Sequence, residues 1–240
     1  MGIETASIAA NLDAVRERIQ RAAQRVGRRP EEITLVAVAK TFPPESVRLA
    51  YAAGVRHFGE NRVQEWESKR PSLADLDATW HLVGHLQSNK AARAAWLFDT
   101  IDSLDNLSLA QKLDRAVATQ LSSAPEVKRL PVLIEVRLAL EETKSGITEA
   151  DLPQLAEAVL ALPHLDLCGL MCLPPYFDHP EQVRPYFRKL RELRDSLERQ
   201  IGQPLPELSM GMSQDFEAAI EEGATQIRLG TAIFGPRSTA

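Results

Sequence analysis

Residues 33–40 read Ile-Thr-Leu-Val-Ala-Val-Ala-Lys, an apolar run that ends in a lysine and precedes a pair of prolines. A run without strict alternation of polar and apolar residues is typical of a strand covered on both faces, as in a parallel sheet. Side chains alternate along a strand, so Val36, Val38 and Lys40 share one face. The sequence therefore predicts a buried parallel strand, with Lys40 at its carboxyl end.

Seven more strand candidates follow, and predicted helices alternate with them. The strands cover residues 55–58, 79–83, 98–101, 130–136, 165–171, 207–209 and 226–229. The helices cover residues 6–26, 45–53, 62–69, 89–96, 105–120, 150–162, 181–200 and a segment that begins near 213 and ends at 223. This alternation predicts a single (β/α)8 TIM barrel domain over residues 1–240, with an added N-terminal helix. A doubly wound sheet is the rival, but no Gly-x-Gly-x-x-Gly motif follows the first strand.

Composition argues against several classes of protein. The net charge of −5 and the isoelectric point near 5.6 argue against a nucleic-acid-binding protein, which usually has a basic face. No apolar run approaches the ~20 residues that span a bilayer, and no signal-peptide core is present. Cys168 and Cys172 are spaced for neither a structural zinc site nor a disulfide framework. We therefore expect a cytoplasmic protein that binds neither nucleic acid nor membranes.

Lys40 has two interpretations on local sequence alone. Its ammonium group can extend from the end of the strand into solvent, which is the ordinary behaviour of lysine. Alternatively, an amine enclosed by apolar side chains gives up its proton more easily and can attack a carbonyl carbon. A second lysine, Lys144, also lies in a predicted strand-exit loop, but its Thr-Lys-Ser-Gly setting is more solvated. Lys40 is therefore the preferred candidate for carbonyl chemistry.

The loops after the seventh and eighth strands predict a phosphate site. They contain residues 209–213, Ser-Met-Gly-Met-Ser, and residues 230–232, Gly-Thr-Ala. In TIM barrels phosphate commonly binds at these two loops, and a helix starting at Ser213 would add positive partial charge. Alternatively, Ser213 is only a helix cap and Gly230 only a turn residue. Arg228 should point into the barrel, where it needs an acceptor.

Motifs along nearly the whole chain resemble the YggS/PROSC family of pyridoxal 5′-phosphate (PLP)-binding proteins, also called PLP homeostasis proteins. The matching segments are 36–41 (Val-Ala-Val-Ala-Lys-Thr), 58–65 (Phe-Gly-Glu-Asn-Arg-Val-Gln-Glu), 80–90 (Trp-His-Leu-Val-Gly-His-Leu-Gln-Ser-Asn-Lys), 143–146, 169–171, 208–213 and 228–235. The resemblance implies a barrel similar to that of alanine racemase and PLP as the cofactor.

The resemblance also implies roles for six residues. Lys40 matches the lysine that forms the internal aldimine, and Arg228 matches the residue that faces the pyridine nitrogen. The phosphate ligands of the family match Ser209, Thr231 and the backbone of Gly230. Asn61 lies at a family motif position near the cofactor. Three residues depart from the usual family pattern: Arg62, Arg137 and Cys172. These departures concern the substrate side of the site.

By this resemblance the chain is a PLP carrier or regulator in the intracellular homeostasis of PLP and of amino and keto acids. PLP-dependent apoenzymes are the partners that it implies. The alternative is a PLP-dependent amino acid racemase or decarboxylase of the alanine racemase fold. Racemisation needs a second base opposite Lys40, for which Tyr176 is the one candidate that we expect at the site. In racemases of this fold that base usually comes from a C-terminal domain, and we expect no such domain from residues 1–240. A cofactor-free aldolase is disfavoured, because the phosphate loops offer no matching acid/base pair.

Overall fold

The computed structural model describes residues 2–121, 129–139 and 145–236, and its centre is a closed barrel of eight parallel strands in sequence order. Their bounds are β1 Thr34–Val38, β2 His57–Glu60, β3 Thr79–Leu82, β4 Thr100–Leu104, β5 Leu130–Glu135, β6 Leu165–Met171, β7 Glu207–Ser209 and β8 Gln226–Leu229. The pairing of β1 with β8 closes the barrel, and Val36 lies opposite Arg228 in this register. The predicted (β/α)8 fold is therefore confirmed.

Helices surround the barrel. They are α1 Gly2–Arg25, α2 Pro44–Ala52, α3 Val63–Lys69, α4 Ala91–Leu97, α5 Leu107–Leu121, α6 Leu152–Leu160, α7 Arg184–Ile201, α8 Phe216–Glu221 and α9 Thr231–Phe234. The prediction that a helix begins near 213 was wrong, since residues 213–215 form a turn and α8 begins at Phe216. Residues 231–234, predicted only as part of a loop, form α9.

The N-terminal helix α1 packs against α2, α8 and α9. Its buried face carries Leu12, Val15 and Ala22, spaced as an amphipathic helix requires. The amide of Asn11 donates to the carbonyl of Ile233 at 2.9 Å, which ties α1 to the helix that follows β8. The predicted N-terminal helix therefore packs against the helices that follow β1, β7 and β8.

The main apolar core lies between the barrel and its helices. Phe58 on β2 and Trp80 on β3 point outward and stack, with ring centroids 5.2 Å apart. Trp66 of α3 stacks on Trp80 at 3.8 Å, and its indole N–H donates to the carbonyl of Leu97. This packing fixes α3 against the outer wall of β2 and β3. No helix within the three described ranges has the length and hydropathy needed to cross a membrane.

Candidate functional site

The carboxyl ends of the strands surround a cavity of about 560 Å³. Lys40 and Asn61 enter it from the loops after β1 and β2, and Arg228 enters from β8. The other lining residues come mainly from the loops after β6, β7 and β8, and they include Tyr176, Phe177, Ser213, Gly230 and Thr231. The structure therefore brings together five of the six predicted site residues and leaves out Ser209.

Lys40 lies two residues beyond the end of β1 and is half-buried. It follows Val38 into the cavity, as the alternation of side chains along the strand predicts. Lys144, the alternative amine, lies outside the described residues. Among the lysines whose surroundings the structure describes, Lys40 is the one that lines this cavity.

Arg228 is buried at the floor of the cavity and has two acceptors inside the barrel. Its Nη1 donates to the hydroxyl of Ser209 at 2.6 Å, and its Nη2 donates to the carbonyl of Cys172 at 2.8 Å. Burial lowers the pKa of the guanidinium, and the negative charges of nearby carboxylates, including Asp102, act in the opposite direction. Arginine remains a cation in proteins, so it presents donors but no acceptor to the cavity.

Ser209 lies below the cavity and is fully buried. Its hydroxyl accepts from Arg228 and, at 2.9 Å, from the side-chain amide of Gln226. This placement makes Ser209 a support for Arg228, since its hydroxyl does not reach the cavity lining. The role of phosphate ligand, expected from the family resemblance, stays a prediction for which the geometry offers another residue.

A second serine, Ser213, lies in the loop after β7. It lines the cavity, and its Oγ accepts from the backbone N–H of Ala232 at 3.2 Å. This bond joins the loop after β7 to the first turn of α9, next to Gly230 and Thr231. The predicted contribution of a helix dipole at Ser213 is withdrawn, because α8 begins three residues later and has only six residues.

A chain of buried polar groups continues below Ser209. The amide of Gln226 also donates to Asp102 Oδ2 at 2.6 Å, and His81 Nδ1 lies 3.1 Å from the same oxygen. The other ring nitrogen of His81 lies 3.0 Å from His57. Burial acts to raise the pKa of Asp102, but His81 and the hydrogen bonds to the carboxylate lower it overall. Apolar patterning missed this layer, because its members are polar residues that point into the barrel.

The three departures from the family pattern fall in different places. Cys172 is buried behind the cavity, where burial raises the pKa of its thiol to about 12. Arg62 is exposed just before α3. Arg137 lines a second cavity of about 580 Å³, together with Glu135 and His85. Neither Cys172 nor Arg62 lines the first cavity.

The tyrosines also separate by position. Tyr176 lines the first cavity but is 72% exposed. The ring of Tyr51 lies beneath Arg56, and Tyr186 packs on Phe177. Among these three tyrosines, only Tyr176 lines the cavity, as predicted.

Comparison with known proteins shows the family. The model for the N-terminal domain of alanine racemase matches residues 10–238. The pyridoxal phosphate homeostasis protein of Aquifex aeolicus is 48% identical over 227 residues, which cover 94% of this chain and 96% of the relative. The protein of the same name from Pseudomonas aeruginosa is 46% identical, with 96% of each chain covered.

Solved structures agree with this assignment. PipY of Synechococcus elongatus, with PLP bound, is 39% identical and has a TM-score of 0.82, with 95% of this chain and 100% of PipY covered. An alanine racemase from Clostridium difficile is 15% identical with a TM-score of 0.72, and covers 98% of this chain and 58% of its own; this likeness shows the fold alone. The chain therefore belongs to the family of pyridoxal phosphate homeostasis proteins, which its sequence motifs resemble.

Proposed function

We propose that this protein binds PLP in the cavity at the carboxyl ends of its strands, holds it through an imine with Lys40, and serves PLP homeostasis. The proposal is supported chiefly by one observation: a single cavity is lined by Lys40, Arg228, Ser213 and Thr231. The PLP bound to PipY, a relative that covers 95% of this chain, supports it.

The residues present fit the chemical groups of PLP. An amine suits the aldehyde, since the amine nitrogen adds to the aldehyde carbon and the oxygen leaves as water. The hydroxyls of Ser213 and Thr231 and the backbone at Gly230 suit the phosphate group, which binds hydrogen-bond donors. Asn61 lines the same cavity and offers an amide near the ring. When bound, PLP supplies an aldehyde and an electron-withdrawing ring.

Arg228 would weaken the electron-withdrawing effect of the bound ring, but an arginine at this position does not by itself exclude catalysis, because alanine racemase also has one there. An arginine donates to the pyridine nitrogen and gives it no proton, so the ring withdraws electrons less strongly than it does beside a carboxylate. The bonds of Arg228 to Ser209 and to the carbonyl of Cys172 hold it in this orientation. We further propose that residues 1–240 act as one domain in the cytoplasm and that PLP-dependent apoenzymes receive the cofactor.

Absorbance spectroscopy tests the binding proposal. The parent protein mixed with PLP should show an imine absorption band, and Lys40→Ala should abolish this band while the far-UV circular dichroism stays unchanged. Lys112→Ala is the matched control, because Lys112 is exposed on α5, away from the cavity. Retention of the band in Lys40→Ala would overturn the assignment.

A further inference from the structure

Two side chains of α3 contact the peptide groups on either side of Lys40. The ammonium group of Lys69 donates to the carbonyl of Ala39 at 2.9 Å. The backbone N–H of Thr41 donates to Glu65 Oε1 at 2.5 Å. Lys69 and Glu65 also pair with each other, with 2.7 Å between Nζ and Oε1. The backbone of Lys40 is therefore held from outside the barrel by a helix that does not itself reach the cavity.

The backbone at Thr41 needs such a support. Its φ is +66°, and within the described ranges it is the only non-glycine residue with a positive φ. A β-branched residue is strained in this left-handed region and keeps the conformation only where its surroundings impose it. The N–H of Phe42 donates to the carbonyl of Ala39 at 3.1 Å and closes the turn on the other side. In this conformation the Thr41 N–H points at Glu65 and donates to its carboxylate.

Lys69 is fixed in turn by three acceptors. Besides Ala39 and Glu65, it pairs with Glu60 Oε1 at 3.0 Å, so its three N–H donors are all used. Lys69 is about 9% exposed and Glu60 is fully buried, and little water competes for these bonds. The other carboxylate oxygen of Glu60 has no hydrogen-bond partner in the described part of the chain. Removing charges at this density from water is costly, and the three hydrogen bonds of Lys69 offset part of that cost.

The charges of the cluster suit this arrangement. Burial acts to raise the pKa of Glu65, but Lys69 and the Thr41 N–H outweigh it and lower this pKa. Glu65 is therefore an ionised acceptor at neutral pH. Burial raises the pKa of Glu60 to about 7, against the opposing effect of Lys69.

We propose that Glu65 and Lys69 are positioning residues for Lys40, and that they hold the strained turn at Thr41 so that the lysine side chain enters the cavity. The inference rests on the proposed function, in which Lys40 forms the covalent bond with PLP. Small displacements of a reacting group slow a reaction strongly, because the reacting atoms must meet in a defined geometry. The loss of Glu65 should therefore slow bond formation even where PLP still binds.

Two measurements on Glu65→Ala test the proposal, and one needs no PLP. Amide hydrogen exchange in the cofactor-free protein should show lost protection at Thr41. At saturating PLP, the rate constant of imine formation should fall by about tenfold or more, as expected for the loss of a hydrogen bond to a charged group. Adding Thr41→Gly should recover most of this rate, because glycine adopts a positive φ without strain.

Two further variants keep the test decisive. Glu67→Ala removes the same charge from the same helix, but Glu67 pairs with Arg93 and should leave both measurements unchanged. Glu65→Asp retains a charge beside Lys69 but shortens the reach to Thr41, and it carries the test if Glu65→Ala does not fold. A folded Glu65 variant with the parent exchange and rate would refute the positioning role. A parent protein that forms no imine at all would instead refute the proposed function.

Discussion

Replacing Ser209 by alanine should destabilise the protein before any cofactor is bound. The hydroxyl of Ser209 accepts from the Arg228 guanidinium at 2.6 Å and from Gln226 at 2.9 Å, and all three residues are buried. Gln226 keeps its second bond to Asp102 in the variant, whereas within the described ranges Arg228 keeps only its bond to the carbonyl of Cys172. A hydrogen bond to a charged group contributes about 1.5–3 kcal/mol. We therefore expect Ser209→Ala to lower the free energy of unfolding by about 2–3 kcal/mol.

Urea unfolding of the cofactor-free protein measures this loss directly. In a thermal scan it corresponds to a fall in Tm of about 4–12 °C, at ~2–4 °C per kcal/mol for a domain of this size. Ser213→Ala is the matched control, because Ser213 lines the cavity and, among the described residues, its hydroxyl accepts only from the Ala232 N–H. It should weaken PLP binding and change stability by less than about 1 kcal/mol. If Ser209→Ala kept the parent stability and lost PLP affinity, Ser209 would be the phosphate ligand and this reasoning would be wrong.

Three further predictions concern the phosphate, the buried carboxyl group and turnover. Pyridoxal, which lacks the phosphate, should bind at least about tenfold more weakly than PLP in an absorbance titration, since a charge-assisted hydrogen bond contributes ~1.5–3 kcal/mol; equal affinities would exclude the phosphate site. The pKa of Glu60 is raised to about 7, so the folded state keeps this proton longer than the unfolded state does. Relative to Glu60→Gln, the parent should therefore lose unfolding free energy as pH rises from about 4.5 to 7, and a pH-independent difference would contradict the assignment. In deuterated buffer, L- and D-alanine should show no sustained α-deuterium exchange with inversion; such exchange, lost in Tyr176→Phe, would identify a racemase.

The sequence was sufficient for the fold because short strand-forming segments alternate regularly with helical segments. All eight strands form where they were predicted, but some ends differ by two or three residues. The fourth strand, predicted at 98–101, lies at Thr100–Leu104. Its polar members Asp102 and Ser103 are both fully buried. Apolar patterning placed the end of this strand too early, because the end of its sequence contains polar residues that are buried in the structure.

The site was predictable only in part. Lys40 and Arg228 follow from strand alternation, because their faces are set by the residues before them. Which of the two serines, Ser209 or Ser213, lines the cavity depends on where β7 ends and α8 begins. A shift of one helical turn in these ends changes the answer. The contact of Lys69 with Ala39 joins residues 30 positions apart and depends on the packing of α3. Neither the position of Ser213 nor the contact of Lys69 with Ala39 can be predicted from a local sequence pattern.

The central claim is that Lys40 holds PLP covalently in the barrel cavity. Borohydride reduction of the protein–PLP complex, followed by protease digestion and mass spectrometry of the peptides, tests it most directly. We expect one reduced phosphopyridoxyl group per chain, on the peptide that contains Lys40. A modification confined to another lysine, such as Lys144, or no covalent product at all would contradict the account.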